Sequence, residues 1–437
     1  MRSDALRVLA ALALRSFQAT LSPLIRGMPR FAYLFERFPS FSQTFCYREV
    51  AELDRQGLTP PVFSIRKPKD EPPQDWDERV IERVHYLPEE EGLLSDVRRT
   101  SKKGNLKAEI VAVLDEWGRR TDFLRLYQAI YIGLRLRDLG IDHVHAHFAG
   151  LAARTAFWID KFFGINFSFT AHANDIFAPR NFEIGLDKLV DAARAVITET
   201  DYAAKFLKER FPNRADRIHR IYNGLNLAEF RRADFSAASP SIVAIGRLIE
   251  KKGFADLIHA CRLLKDRGKL FRCEIIGEGP LEGELRGQID RLDLQNCVQL
   301  PGPKPQHEIA EHLAAGTVFV LPSVIDPDGG MDNLPTVIME AMATGLPVIS
   351  TAIGGIAEMV VENETGILVP PGDAGALAHA IEKVIVDLSF ARQLGANGHR
   401  RAGELFSIEK NAQSLIRIFE ELADSKIDNV KADRERS

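Results

Sequence analysis

Cysteine is scarce in this chain, and what there is stands far apart. Cys46, Cys261, Cys273 and Cys297 are scattered over 437 residues with no Cys-x-x-Cys pair. That excludes a disulfide scaffold and a thiolate zinc site, and it fits reduced packing residues in a cytosolic protein. Long hydrophobic runs are also missing: none reaches the roughly eighteen residues needed to cross a bilayer. The chain carries little net charge, −4 at pH 7, whereas nucleic-acid binding calls for a clustered basic excess. No internal repeat or low-complexity tract stands out. A chain of this length has room for two or three domains with sizeable cores.

Residues 1–29 form a separate amphipathic segment. Val8–Leu14, flanked by Arg7 and Arg15, has the outline of a short signal peptide but lacks a small-residue cleavage site. At 100° per residue, Leu6, Leu9, Ala13, Phe17, Leu21 and Leu24 share one face, with Arg7, Arg15, Gln18 and Ser22 opposite. Such a helix suits the surface of an anionic membrane, or it packs on its own domain.

From Arg30 onward, strands and helices alternate, which argues a parallel doubly wound sheet with ligands beyond the strands' carboxyl ends. Phe31–Phe35 reads as the first strand, and Phe38–Phe45 as a loop entering a helix that ends near Gly57. Residues 86–110, with Glu89–Glu91 and Lys102–Lys103, read as exposed connection. A helix over about 123–139 feeds the strand Val144–Phe148, and Phe167–Asp175 is another strand ending in polar groups. His147, His172 and Asp175 fall at strand ends. Alternation resumes from Ser241 to about 387, and Ile408–Leu422 is amphipathic.

Two segments imitate other chemistries. Cys273–Gly283 mimics a dinucleotide fingerprint, but its spacing is Gly-x-Gly-x-x-x-Gly, and Glu278 and Glu282 would repel a pyrophosphate. It reads as a structural turn. His143, His145 and His147 share one strand face, which suggests a metal-dependent hydrolase completed by His172 or Asp175. However, the outer two lie about 13 Å apart at about 3.3 Å per residue, too far to close on one ion.

The richest segment is Gly329-Gly330-Met331-Asp332-Asn333-Leu334-Pro335-Thr336-Val337-Ile338-Met339-Glu340-Ala341-Met342-Ala343-Thr344-Gly345. Asp332 and Glu340 stand eight residues apart across a loop entering a helix. Pro335 suits the first helical turn and Gly345 the residue past its end. The apolar run Leu346–Ser350 follows as a buried strand. A helix N-terminus beside paired carboxylates can hold a phosphate on its N–H groups and hydroxyls on its carboxylates. Alternatively, this is a capped surface helix with Glu340 solvated. Upstream, the strand Val243–Ile245 breaks into Gly246-Arg247-Leu248-Ile249-Glu250-Lys251-Lys252-Gly253, offering cations matched to phosphate oxygens. Downstream, Thr351-Ala352-Ile353-Gly354-Gly355-Ile356-Ala357-Glu358 lets backbone come close to a ligand.

Gly-Arg-Leu, Lys-Gly, the acidic-x7-Glu-Ala-Met-Ala-x-Gly run, Gly-Gly-x-x-Glu and Gly366-Ile367-Leu368-Val369 occur in that order. Together they resemble the family-four retaining glycosyltransferases over roughly residues 30–420. The resemblance implies a GT-B fold, two doubly wound Rossmann-like domains facing each other across a cleft. It implies an acceptor-side domain at 30–235, a nucleotide-sugar domain at 236–404, a helix at 405–425 returning to the first domain, and a polar tail at 426–437. Arg220–Asn226 resembles the stretch preceding the crossing between domains. The family's first acidic position is usually Glu. Asp332 there resembles members acting in exopolysaccharide and colanic-acid synthesis.

That resemblance implies transfer of a hexose from a nucleoside diphosphate sugar, UDP- or GDP-linked, to a saccharide acceptor that is lipid-linked. No cofactor or metal is implied, since Arg247 and Lys252 would neutralise the leaving diphosphate. Asp326-Pro327-Asp328 imitates a metal-binding Asp-x-Asp, but its place before the helix fits GT-B. Glu340 would accept ribose hydroxyls, Asp332 would contact the donor sugar, and His172 would lie beside the reacting carbon. Gly302, Asn333, Leu334, Pro335 and Gly355 would complete the donor site. Ser42, Thr44, His147 and Asp175 would face the acceptor. The implied setting is the cytoplasm, with residues 1–27 touching the inner face of the membrane. A non-catalytic sugar-nucleotide-binding subunit is the other reading.

Overall fold

A computed structural model describes residues 30–435, apart from 70, 72–73, 119, 121 and 236–238. The amphipathic segment at 1–27 lies outside the described residues.

Two parallel sheets dominate. The first comprises β1 (Phe31–Arg37), β2 (Val62–Arg66), β3 (Val84–Tyr86), β4 (His143–His147), β5 (Asn166–Ala171), β6 (Val196–Thr198) and β7 (Ile218–Arg220), in the order β3-β2-β1-β4-β5-β6-β7. The second comprises β8 (Ser241–Ile245), β9 (Arg272–Ile276), β10 (Val298–Gly302), β11 (Val318–Leu321), β12 (Val348–Thr351) and β13 (Gly366–Val369), in the order β10-β9-β8-β11-β12-β13. Every pairing is parallel. Helices cover both faces, so strands such as β8 and β11 are apolar along nearly their whole length. Each sheet reverses its strand order beside its first strand, at β1/β4 and at β8/β11, and there the carboxyl ends leave a crevice.

Several local expectations hold. Pro335 caps the Thr336–Thr344 helix, and Gly345 ends it with φ 79°, a conformation glycine adopts without a Cβ penalty. The 123–139 helix runs Phe123–Asp138. Within Cys273–Gly283, residues 277–281 turn from β9 into the Glu282–Arg291 helix, and a Cβ on Gly277 would stand 2.0 Å from the Gly246 carbonyl oxygen.

One expectation fails. Residues 86–110 are not bare connection, because helices form over Glu90–Lys102, burying Leu93 and Val97, and over Ala108–Trp117, burying Ile110. Two apolar residues four apart suffice to seat a helix whose other faces are charged. That sparse stripe is hidden in the composition.

The chain leaves the first sheet after β7 and returns on the final helix, Ile408–Glu435. The two passages pair where Leu225 N–H donates to Phe406 O at 2.7 Å and Ile408 N–H to Leu225 O at 3.1 Å. A Cβ on Gly224 would meet Ile408 Cα at 2.5 Å, so the crossing requires glycine there. Ala412, Leu415, Ile418 and Phe419 of the returning helix join the core under β1, with the Phe419 ring tilted against Phe31 at a centroid distance of 4.5 Å.

Candidate active site

On the second sheet, the turn after β8 and the loop after β11 meet through charge. Lys252 Nζ donates to both carboxylate oxygens of Asp332, at 2.9 and 2.8 Å, and Ser323 Oγ donates to the same group at 2.7 Å. Burial pushes the Asp332 carboxyl up, but Lys252 and then Lys251 more than offset this and hold it below the usual carboxylate range. Lys251 reaches across to the Asn174 side-chain oxygen at 3.2 Å. The Arg247 side chain, by contrast, is exposed and makes no hydrogen bond or ion pair among the described residues.

Glu340 is buried on the next helix, and one of its oxygens accepts from Arg48 Nη2 at 2.8 Å. Arg48 belongs to the Thr44–Arg55 helix of the first sheet, so this ion pair spans the crevice. The other terminal nitrogen of Arg48, Nη1, is buried with no partner. Asn333, 2% exposed, accepts from Thr200 Oγ1 at 2.7 Å, while its Nδ2 is buried and unpaired.

The Gly354–Gly355 pair brings backbone close to backbone. A Cβ on Gly354 would lie 2.3 Å from Asp332 O, and one on Gly355 would lie 2.7 Å from Asn333 O. Glu358 of the same motif accepts from the Asp201 and Tyr202 N–H groups, at 2.9 and 2.6 Å, and from Tyr222 Oη at 3.0 Å. Its carboxylate therefore sits at the N-terminus of the Asp201–Arg210 helix, where a negative charge is favoured. Gly302, at the end of β10 with φ 83°, has open space around the Cβ position.

On the first sheet, strand ends gather imidazoles and carboxylates. His172 follows β5; its Nδ1 faces Glu199 Oε1 at 2.7 Å, and its Nε2 faces His147 Nδ1 at 3.3 Å. His147 Nε2 faces Glu49 Oε1 at 3.1 Å. Asp175 accepts from the His172 backbone N–H at 2.9 Å. Burial would lower the His172 pKa, but Glu199, with Asp175 and Glu49 behind it, raises it above the ordinary value. Burial would raise the Glu49 carboxyl; His147, Tyr33 and His172 bring it below the ordinary value instead.

The structure thus brings Lys252 to Asp332, and His147 to His172 and Asp175. Ser42 and Thr44 form no hydrogen bond with that histidine group; Ser42 lies 3.4 Å from Ser40 Oγ. Nor do the three strand histidines surround one ion. His143 and His145 share the Ser168 hydroxyl, at 2.8 Å each, and the second ring nitrogen of His145 meets Thr170 Oγ1 at 3.0 Å. Glu49, His145 and His147 each offer a ligand atom within 4.8 Å of one another, yet His145 has both nitrogens engaged. Arg48, Glu49 and Glu199 escaped the sequence reading. Glu199 follows β6 directly and could have been found by the strand-end logic that found His147 and His172. Arg48 and Glu49 sit inside an ordinary amphipathic helix and carry no local signal.

The chain matches the model for Glycosyltransferase Family 4 over residues 42–229 and that for glycosyl transferases group 1 over residues 228–401. It belongs to the family-four glycosyltransferases. It is 41% identical over 182 residues to the colanic acid biosynthesis glycosyltransferase WcaL of Escherichia coli, an alignment covering 41% of this chain and 44% of WcaL. It is 48% identical over 137 residues to the amylovoran biosynthesis glycosyltransferase AmsK of Erwinia amylovora, covering 31% and 34%. The chain therefore spans less than half the length of these curated relatives. Anabaena HepE, solved in complex with UDP, superposes with a TM-score of 0.66 at 18% identity over 89% of this chain and 98% of its own. That likeness identifies the fold as GT-B. Among the described residues, no helix is long and apolar enough to cross a membrane.

Proposed function

We propose that this protein transfers a hexose from a UDP- or GDP-sugar to a lipid-linked saccharide in bacterial exopolysaccharide synthesis, retaining the anomeric configuration. The observation that carries this reading is the cation–carboxylate cluster of Lys252, Asp332 and Glu340. It lies on the second sheet and touches the first sheet through Arg48. The names of the similar proteins, colanic acid and amylovoran glycosyltransferases, support the polysaccharide setting. The UDP bound by HepE supports a nucleotide donor.

In this reading the acceptor hydroxyl oxygen bonds to the anomeric carbon as the carbon–oxygen bond to the diphosphate breaks. The hydroxyl proton passes to the leaving phosphate oxygen on the same face. Arg247, whose side chain has no partner among the described residues, and Lys252 neutralise the diphosphate, helped by the helix N-terminus after Pro335. These protein cations stand in for a metal. Asp332 holds donor hydroxyls, Glu340 the ribose diol, and Gly302 and Gly355 leave room for the nucleotide. His172 lies beside the reacting carbon, and Ser42, Thr44, His147 and Asp175 face the acceptor. The enzyme works in the cytoplasm, with residues 1–27 against the membrane's inner face.

A thermal-shift panel of nucleoside diphosphate sugars, with and without EDTA, tests this. A donor at a hundred times its Kd stabilises by about 2.7 kcal/mol, unchanged by EDTA. No response to any UDP- or GDP-sugar would defeat the reading, and loss of the response in EDTA would defeat metal independence.

A further inference from the structure

Five side chains form one hydrogen-bonded line beneath the crevice. Tyr33 Oη donates to Glu49 Oε1 at 2.5 Å, and the line continues through His147 and His172 to Glu199, which also accepts from Asn223 Nδ2 at 2.7 Å. Both rings and Glu199 are at least 94% buried. The line's proton content follows from counting donors. Each ionised carboxylate needs an N–H from the ring facing it, which places protons on His147 Nε2 and His172 Nδ1. The remaining nitrogens then confront each other at 3.3 Å. Two lone pairs at that distance repel, so one must carry a proton.

We infer that the His147–His172 pair holds one shared proton, clamped by Glu49 and Glu199, which act as positioning residues for the transfer reaction. The four-group unit then carries a net charge of −1. This rests on the proposed function, which puts His172 beside the transferring sugar. There, a buried net negative charge favours the positive charge that develops at the anomeric carbon, with no carboxylate touching it. The shared proton meanwhile locks both rings in place.

The other groups facing the pair are consistent with this count. Cys46 Sγ lies 3.5 Å from His147 Nδ1, and burial pushes its thiol up, so it adds no charge. Burial likewise keeps the Tyr33 hydroxyl protonated. His145 is held neutral by burial and by its histidine neighbours. Asp175 bonds the His172 backbone and adds a negative field that favours the proton.

The first test needs no donor: nitrogen NMR of histidine-labelled whole protein. At pH 7 one proton in excess of two neutral rings should appear on this pair, with a far-downfield N–H···N signal lost on alkaline titration. Two neutral rings at pH 7 would overturn the inference and leave the donor-site reading standing. The second test is Glu199→Gln, which keeps the acceptor oxygen but removes the charge. An opposite charge this close is worth about one to three pH units. The alkaline limb of the turnover–pH profile should therefore move down by that amount, together with the NMR midpoint, and Glu199→Asp should restore it. A limb that stays put while the NMR midpoint moves would overturn the positioning role. If the variant does not fold, the wild-type titration and the wild-type alkaline limb must still share one midpoint, and disagreement between them overturns the proposal.

Discussion

Arg48 and Glu340 offer a sharp energetic test, because their contact joins the two sheets at the carboxylate proposed to hold the ribose. The side chains are 11% and 3% exposed, and the contact is 2.8 Å. Replacing Arg48 with Met keeps most of the packing volume and leaves Glu340 buried without its cation. Removing one partner of a buried pair costs about 3–5 kcal/mol, mostly the penalty of the stranded charge. The lower end applies here, since the Thr200–Asn333 and Glu358 contacts keep the sheets together without Arg48. For a unit of about 150–250 residues, a loss near 3 kcal/mol lowers the melting midpoint by about 6–12 °C.

Nucleotide should reverse part of that loss. Ribose hydroxyls can satisfy the stranded carboxylate in the variant, whereas in the wild type they share it with Arg48. The stabilisation by UDP or GDP, measured calorimetrically at equal free ligand concentration, should be larger in Arg48→Met than in the wild type. Adding Glu340→Gln should cancel both effects, giving a coupling of about 0.5–3 kcal/mol in the double-mutant cycle. If Arg48→Met melts with the wild type, or nucleotide stabilises both equally, Glu340 is not a shared ligand of arginine and ribose.

Arg247→Ala and Lys252→Ala should each lower turnover by about 10²–10³ while the fold persists; near-normal steady-state rates in either would place the diphosphate elsewhere. Asp332→Asn should spare nucleotide affinity and damage transfer, whereas Glu340→Gln should weaken free nucleotide as well as donor. Equal losses of nucleotide affinity by calorimetry would refute that division. Asp332 also sets an acid limit. Its folded pKa lies below its unfolded one, so its contribution to stability is complete above the unfolded value of about 3.9 and fades as pH falls through the folded value. Lys252→Met should flatten the acid side of the melting curve, and parallel curves for variant and wild type would contradict this. Deleting residues 1–27 should abolish sedimentation with anionic liposomes and leave donor binding intact; an intact protein that never sediments removes this segment's support for membrane contact.

How much was legible depended on whether the determinant was local. Gly345 ends a helix because a single residue must adopt positive φ, and Ile408–Leu422 is helical because its apolar face repeats at helical spacing. Both causes lie within one turn of the residues concerned, so pattern alone finds them. The strand-end rule found His147 and His172 for the same reason. What was illegible depends on partners far away in sequence. Arg48 and Glu340 are 292 residues apart, and nothing in Phe45-Cys46-Tyr47-Arg48-Glu49 distinguishes a surface arginine from one laid across a crevice. Leu93 and Val97 give no signal either, because two apolar residues among charges look like connection until a neighbouring helix covers them.

The Gly354–Glu358 motif shows how a pattern read for a ligand also has a purely structural cause. Two glycines before a short helix read as backbone able to come close to a ligand. Yet Gly354 is needed whether or not a ligand is bound, since a side chain there would collide with the Asp332 carbonyl. Glu358, five residues from Ile353, spends its carboxylate on the N-terminus of a helix in the other sheet. The motif thus links the loop bearing Asp332 and Asn333 to the loop bearing Glu199 and Thr200. The same backbone that would border the nucleotide also sets where His172's carboxylate partner stands relative to the donor carboxylate. A substitution at Glu358 should therefore disturb donor affinity and the pH dependence of turnover together, although its own carboxylate is fully occupied by the protein.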